Sequence, residues 1–271
     1  MLESPVPSPC VKLCCMNPTT GWCDGCLRTQ DEIAAWPRMD DMRKRGVWTL
    51  LDARRRTLKH LTFWFDPVSP YAYLAFERLP QALEGLSYSV DYQPVLLAAM
   101  LTHWGQKGPA EIEPKRAWTF RQVHWLAHRH STELQTPARH PFNPLALLRL
   151  AWACAPEGRT PSRYVCEQIL RHAWRGGADA EDPQRLAELT AQLAPQRDAT
   201  AALVKQTLRE ATDRAVALGL FGVPTLEVDG RLFWGLDALD MVAAYLRGDP
   251  WFDGPAWQEA AVAPPGVKRR P

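Results

Sequence analysis

The chain has 271 residues, 46% of them hydrophobic and 23% charged, the composition of a globular protein with apolar mass for one large core or two smaller ones. Its 32 Lys and Arg side chains against 30 Asp and Glu give a formal charge of +2, too nearly balanced to predict a nucleic-acid surface. The opening "MLESPVPSPC" has no basic stretch followed by an apolar run, so neither a signal peptide nor a membrane span is expected there, and a cytoplasmic location is the default.

The cysteines are distributed unevenly, with five of the seven in the first 26 residues, which marks residues 1–56 as a separate cysteine-rich module. Cys10, Cys14, Cys23 and Cys26 form two pairs that can converge as four thiolates around one ion or small cluster, with Cys15 as an extra. In a reducing compartment a metal explains this spacing better than two disulfides, and so short a segment lacks the apolar mass to fold well alone. Structural zinc, an iron–sulfur cluster and no metal at all remain open. Further on, Thr29 caps a helix starting at Gln30, with Glu32 as capping-box partner, and Pro37 stops it. The run "DARRRTLKH" ends a second helix and passes into a linker.

A second domain spans residues 60–248. "HLTFWFD" reads as a strand, and "SPYAYLAFERLPQAL" has helical spacing through Tyr73, Phe76, Leu79 and Leu83. "LSYSVDYQPV" makes a second strand, and a mostly helical insertion follows over about 94–220. "GVPTLEVDGRLFWG" then supplies two short strands joined at Asp229–Gly230, and "LDALDMVAAYLRG" a closing helix ended by Gly248. Residues 249–271, rich in Pro, Ala and Gly, read as a tail. This order predicts an α/β fold, a small mixed sheet flanked by helices with a ligand cleft beneath the inserted ones. Trp64, Trp118, Trp125 and Trp234 are expected to pack in the core. Ser69, where the first strand meets its helix, is either a plain helix cap or a hydroxyl placed to activate a ligand. His124, His128 and His130 lack the acidic partner of a His-Glu-x-x-His site and read as ordinary histidines.

Four stretches carry a resemblance: "FDPVSPYAYLAFERLP", "EPKRAW", "HPFNPLALLR" and "GLFGVPTLEVDGRLFWGLD". Together they resemble the glutathione-dependent 2-hydroxychromene-2-carboxylate isomerases, relatives of kappa-class glutathione transferases and of thiol oxidoreductases with the thioredoxin fold. The resemblance implies a thioredoxin-like fold and places Ser69 where redox relatives keep the first cysteine of a Cys-x-x-Cys. With Ser69 and Ala72 there, dithiol exchange at this position is excluded by the side chains. It further implies that Ser69 donates to the thiolate of bound glutathione, with Val223 and a cis Pro224 at the site edge and Asp237 beside the γ-glutamyl group. A trans Pro224 beginning an edge strand and an Asp237 that merely caps remain open. Asn143 and Arg149 are implied at the pocket of a small aromatic carboxylic acid, although Arg149 can equally be a solvated helix residue. Ala238 stands where the family commonly has an arginine, and Trp118 and Gln122 where it has a tyrosine and an acid. The implied activity is isomerisation of an unsaturated aromatic keto acid. Glutathione transfer to a small electrophile, or a non-catalytic adaptor with a metal-binding head, are the alternatives, and a homodimer is left open. Residues 8–36, with "SPC" and "TGWCDGCLRT", resemble a short bacterial family of unknown function.

Overall fold

The computed structural model describes residues 6–10, 14–17, 20–23, 25–56 and 58–262. In the head, the bridges Met16↔Cys23 and Trp22↔Thr29 fold two short antiparallel segments together. They lead into helix α1 (Gln30–Ala35). Its start is the expected capping box: Thr29 Oγ1 accepts from Glu32 N at 3.2 Å, and Glu32 Oε2 accepts from Thr29 N at 2.8 Å. Pro37 falls in a single tight turn over Trp36–Arg38, and α2 (Asp41–Arg56) follows. Leu27, Trp36, Val47 and Leu51 form a small apolar cluster of their own.

The body is built on a four-stranded sheet of order β2-β1-β3-β4, from β1 (Lys59–Phe65), β2 (Tyr88–Pro94), β3 (Thr225–Val228) and β4 (Arg231–Trp234). β1 pairs parallel with β2 and antiparallel with β3, and β3 pairs antiparallel with β4. β1 is central and covered on both faces, which is why its end reads as a near-continuous apolar run. Leu61, Phe63 and Phe65 enter one core, while Trp64 enters a second with Leu148, Val204 and Leu208. The β3–β4 turn has Asp229 at φ 50° and Gly230 at φ 75°, the doubly left-handed turn predicted for Asp-Gly.

Helix α3 (Pro70–Ala82) leaves β1 and packs into the first core. It contains Pro80, which cannot donate to the carbonyl of Phe76, and Arg163 Nη2 reaches that oxygen at 3.3 Å instead. The helical insertion consists of α4 (Leu97–His103), α5 (Glu113–Arg129), α6 (Leu145–Cys154), α7 (Arg163–Trp174), α8 (Pro183–Leu193) and α9 (Ala202–Ala217). α10 (Leu239–Leu246) closes the sheet, with Gly248 at φ 81° beyond it.

The expected tail over 249–271 is corrected by the structure as far as residue 262, the remainder lying outside the described residues. Residues Pro250–Asp253 make a 3-10 turn and Pro255–Ala260 form α11. Phe252 is buried against Phe233, Tyr245 and Trp257, so three aromatic side chains anchor a stretch whose Pro and Ala content suggested none. Trp64 is fully buried as expected, but Trp118, Trp125 and Trp234 are 63%, 54% and 55% exposed. Among the described residues, no helix is long and apolar enough to cross a membrane.

Candidate functional site

A cleft of about 1540 Å³ lies between the α3 N-terminus, α4, α5 and the turns around β3 and β4. Ser69 sits at its floor, 6% exposed, in extended backbone just before the Pro70 that opens α3. Its Oγ accepts from Ala72 N at 3.2 Å and donates to the Val223 carbonyl at 3.3 Å. The hydroxyl is therefore a helix cap and a bridge to the facing turn at once. The Val223–Pro224 bond is cis, and Gly235 N donates to the Pro224 carbonyl at 2.9 Å.

Asp237 also lines the cleft, exposed, and α10 begins after Ala238 without a side-chain cap. Its carboxylate is thus directed to the cleft instead of the helix. Gly235 has φ 102°, a backbone conformation that favours glycine, and a Cβ there would collide with Asp237 Oδ1, so a side chain at 235 would displace this carboxylate. Tyr71 Oη donates to Gln122 Oε1 at 2.7 Å; burial pushes its phenol up, and nearby Asp237 adds to this. Lys107, Lys115 and Arg116 supply positive charge to the wall.

Two groups of the cleft were not singled out by sequence reasoning. Asp66, at the end of β1, is fully buried, and its carboxylate accepts from Val68 N and Leu97 N, each at 2.9 Å. Burial pushes this carboxyl up to about 7 against the two hydrogen bonds, which favour the ionised form. Its backbone carbonyl accepts from Ser69 N at 3.0 Å, so Asp66 shapes the loop that carries Ser69. A charged letter between an apolar strand and a helix start was the available signal. His140 donates from Nε2 to the Val68 carbonyl at 2.9 Å, packed among Phe120, Phe142 and Trp174. Burial, reinforced by Arg116, holds this imidazole below the ordinary histidine range, and among the described residues its buried Nδ1 has no partner.

Of the sequence candidates, Ser69, Val223, Pro224 and Asp237 come together at the cleft. Asn143 and Arg149 do not join them. Asn143 Oδ1 accepts from Leu145 N at 3.1 Å, at the start of α6, and the residue lines a separate cavity of about 120 Å³. Arg149, within α6, lines neither cavity. Phe221 and Trp234, by contrast, flank Val223–Pro224 as a ring pair with centroids 4.8 Å apart and line the cleft while 43% and 55% exposed. In the head, Cys23 and Cys26 are buried and Cys10, Cys14 and Cys15 exposed. Among the described residues, no three His, Cys, Asp or Glu side chains stand in the arrangement of metal ligands, so the expected four-thiolate site is not assembled as the chain lies.

A parallel pair extended by an antiparallel hairpin, with a helix N-terminus facing a cis-proline turn, defines a thioredoxin-like protein. More narrowly, the chain belongs to the family of the DSBA-like thioredoxin domain, whose model matches residues 60–247. The head matches a second family over residues 8–55, a protein of unknown function (DUF1289). The 2-hydroxychromene-2-carboxylate isomerase of Sphingobium xenophagum is 26% identical over 198 residues, which is 69% of this chain and 98% of that one. Glutathione S-transferase kappa 1 of Rattus norvegicus is 26% identical over 208 residues, 70% and 92% of the two chains. A solved 2-hydroxychromene-2-carboxylate isomerase has the same fold, with a TM-score of 0.62 at 19% identity over 75% of this chain and 99% of that one.

Proposed function

We propose that the body is a glutathione-dependent enzyme that isomerises an unsaturated aromatic keto acid of the 2-hydroxychromene-2-carboxylate type. The observation that carries this reading is the Ser69 hydroxyl, held at the first turn of α3 against the Val223 carbonyl on the floor of the cleft. The names of the two relatives agree with it, one an isomerase of that acid and one a glutathione transferase.

The residues present fit glutathione. The cleft exceeds the roughly 300–1,000 Å³ of a single small-ligand pocket, which leaves room for a second molecule beside the tripeptide. Asp237 offers a carboxylate to the tripeptide's α-ammonium, and Lys115 and Arg116 offer cations to its carboxylates. When bound, glutathione supplies a thiolate that adds to the substrate's double bond and leaves again after rotation about the resulting single bond. Ser69 serves this chemistry by turning its O–H from Val223 to the sulfur, where the α3 N-terminus also favours negative charge. Trp118, Phe221 and Trp234 give the aromatic acid an apolar wall.

Transfer of glutathione to a small electrophile begins with the same activated sulfur, and the kappa-class relative favours keeping it as the second reading. Calorimetry with millimolar glutathione, followed by a thiol assay during turnover, tests both. Saturable heat with glutathione fully recovered supports isomerisation, whereas consumption of one thiol per product supports transfer. A folded protein that gives no heat overturns both.

A further inference from the structure

Two consecutive peptide units lead into Ser69, and each is held at both of its polar ends. The Pro67 carbonyl accepts from Trp174 Nε1 at 2.8 Å, and the N–H of the same unit, on Val68, donates to Asp66 Oδ1 at 2.9 Å. The Val68 carbonyl accepts from His140 Nε2 at 2.9 Å, and the N–H of that unit, on Ser69, donates to the Asp66 carbonyl at 3.0 Å. With both ends of each rigid plane tied, the chain is delivered to Ser69 in one direction, and its Oγ stands 3.3 Å from the Val223 carbonyl.

A helix cap does not need this much support. Ser69 Oγ and Ala72 N make the cap by themselves, so the bonds on residues 67 and 68 serve a different end. Two of the donors also come from far along the chain. Trp174 closes α7 and His140 precedes α6, so the helical insertion that walls the cleft also braces its floor. His140 is suited to a fixed role. Because a carbonyl only accepts, Nε2 must carry the proton, which leaves Nδ1 bare. That Nδ1 is buried with no partner among the described residues, so neither the other tautomer nor an imidazolium would find an acceptor for a proton there. The ring packs against Phe120 and Trp174, with centroids 5.1 and 5.6 Å from its own.

We propose that His140 is a positioning residue for Ser69: its Nε2–H, by holding the Val68 carbonyl, keeps the Ser69 hydroxyl aimed at the cleft, with Trp174 as the second brace. The proposal rests on the reading of Ser69 as the donor to the thiol of bound glutathione. His140 acts through the backbone and not on the sulfur. Without its donor the Val68 carbonyl would turn to find another, and the peptide plane that carries Ser69 N would turn with it. Such a change is costly, since a misplacement of about 1 Å can slow a reaction about 10²-fold.

The test compares two variants of the full chain. His140→Phe keeps a ring among Phe120, Phe142 and Trp174 but has no donor, whereas His140→Gln carries an N–H as many bonds from Cβ as the imidazole's Nε2. Hydrogen–deuterium exchange of the ligand-free proteins is expected to quicken at the Val68 and Ser69 amides in His140→Phe, with β1 unchanged, and to return toward the parent's rate in His140→Gln. Turnover of the aromatic acid is expected to fall about tenfold in His140→Phe, with KM within about twofold of the parent's, and to recover in His140→Gln. Unchanged exchange at the two amides overturns the brace, and faster exchange with full turnover overturns its link to Ser69. Equal losses in both variants would assign the effect to ring packing and refute the proposal as well. Nitrogen NMR of the unsubstituted protein decides even if His140→Phe does not fold. The proton is expected on Nε2 alone at neutral pH, and a ring protonated on Nδ1 overturns the donor. A parent that gives no glutathione heat brings down the proposed function, and the exchange result then still decides the brace.

Discussion

Ser69 has two hydrogen bonds with different purposes. The one from Ala72 N holds the helix, and the one to the Val223 carbonyl faces the cleft. Ser69→Ala removes both. The lost cap costs about 1 kcal/mol of stability. In the proposed reaction, loss of its O–H as donor to the thiolate is expected to lower turnover by about 10²-fold or more, by analogy with oxyanion donors. Urea unfolding and steady-state rates on the same variant separate these effects, and a rate equal to the parent's would return Ser69 to the role of a cap. Asp66 yields a pH prediction with a definite sign. Its carboxyl titrates at about 7 in the folded protein and near the ordinary aspartate value when unfolded. Between about pH 4 and 7 the folded state therefore binds the extra proton, and stability falls as pH rises through that window, by at most about 4 kcal/mol. Above pH 7 the loss is complete and the curve flattens. Asp66→Asn is expected to remove this slope, which unfolding midpoints at pH 5 and 8 would read; parallel profiles for the two proteins would refute the assignment.

The aromatic wall of the cleft depends on one backbone position between elements. A Cβ on Gly222 would lie 2.7 Å from Trp234 Nε1, so Gly222→Ala must push the indole off the turn and away from Phe221. The expected outcome is a KM for the aromatic acid raised about tenfold, equivalent to roughly 1.4 kcal/mol, with glutathione heat little changed. An unchanged KM would show that the ring pair does not meet the substrate. On the opposite face of β4, where Phe233 lies, Phe252→Ala is expected to cost about 3–5 kcal/mol, because the ring is buried among Phe233, Tyr245 and Trp257. A urea midpoint within error of the parent's would contradict that packing. These two places also show where sequence reading stopped. β1, α3 and the Asp229–Gly230 hairpin were legible because burial on a strand, spacing on a helix and left-handed turn residues each leave a local pattern. The segment after Gly248 was misread because Pro and Ala set its composition while three aromatic side chains set its energy. Trp118 and Trp234 were assigned to the core because a residue type says nothing about which side of a cleft it faces. Asn143 and Arg149 missed the cleft because their directions depend on where α6 begins, which the motif alone does not specify.

At the scale of the whole chain, apolar packing divides where the sequence changes character. The two large clusters draw their buried residues from position 61 onward, while the head cluster is made by Leu27, Trp36, Val47 and Leu51 with Val6, Met39, Trp48 and Leu58 against it. Only two residues separate the end of α2 at Arg56 from the start of β1 at Lys59. The cleft, with Ser69, Val223 and Asp237, is lined from the body alone. We therefore expect a fragment beginning at Leu58 to unfold cooperatively and to give the glutathione heat of the intact chain. The head presents the opposite case. Four buried apolar side chains cannot offset the conformational entropy of some fifty residues, for which the cost is roughly 1–2 kcal/mol each. A peptide of residues 1–56 is thus expected to lack cooperative unfolding on its own. Circular dichroism melts of both pieces read the two outcomes side by side. A body fragment that is unfolded or gives no heat while the intact chain does would show that the head completes the body's core or its cleft. A head peptide that melts cooperatively would show that its own side chains suffice.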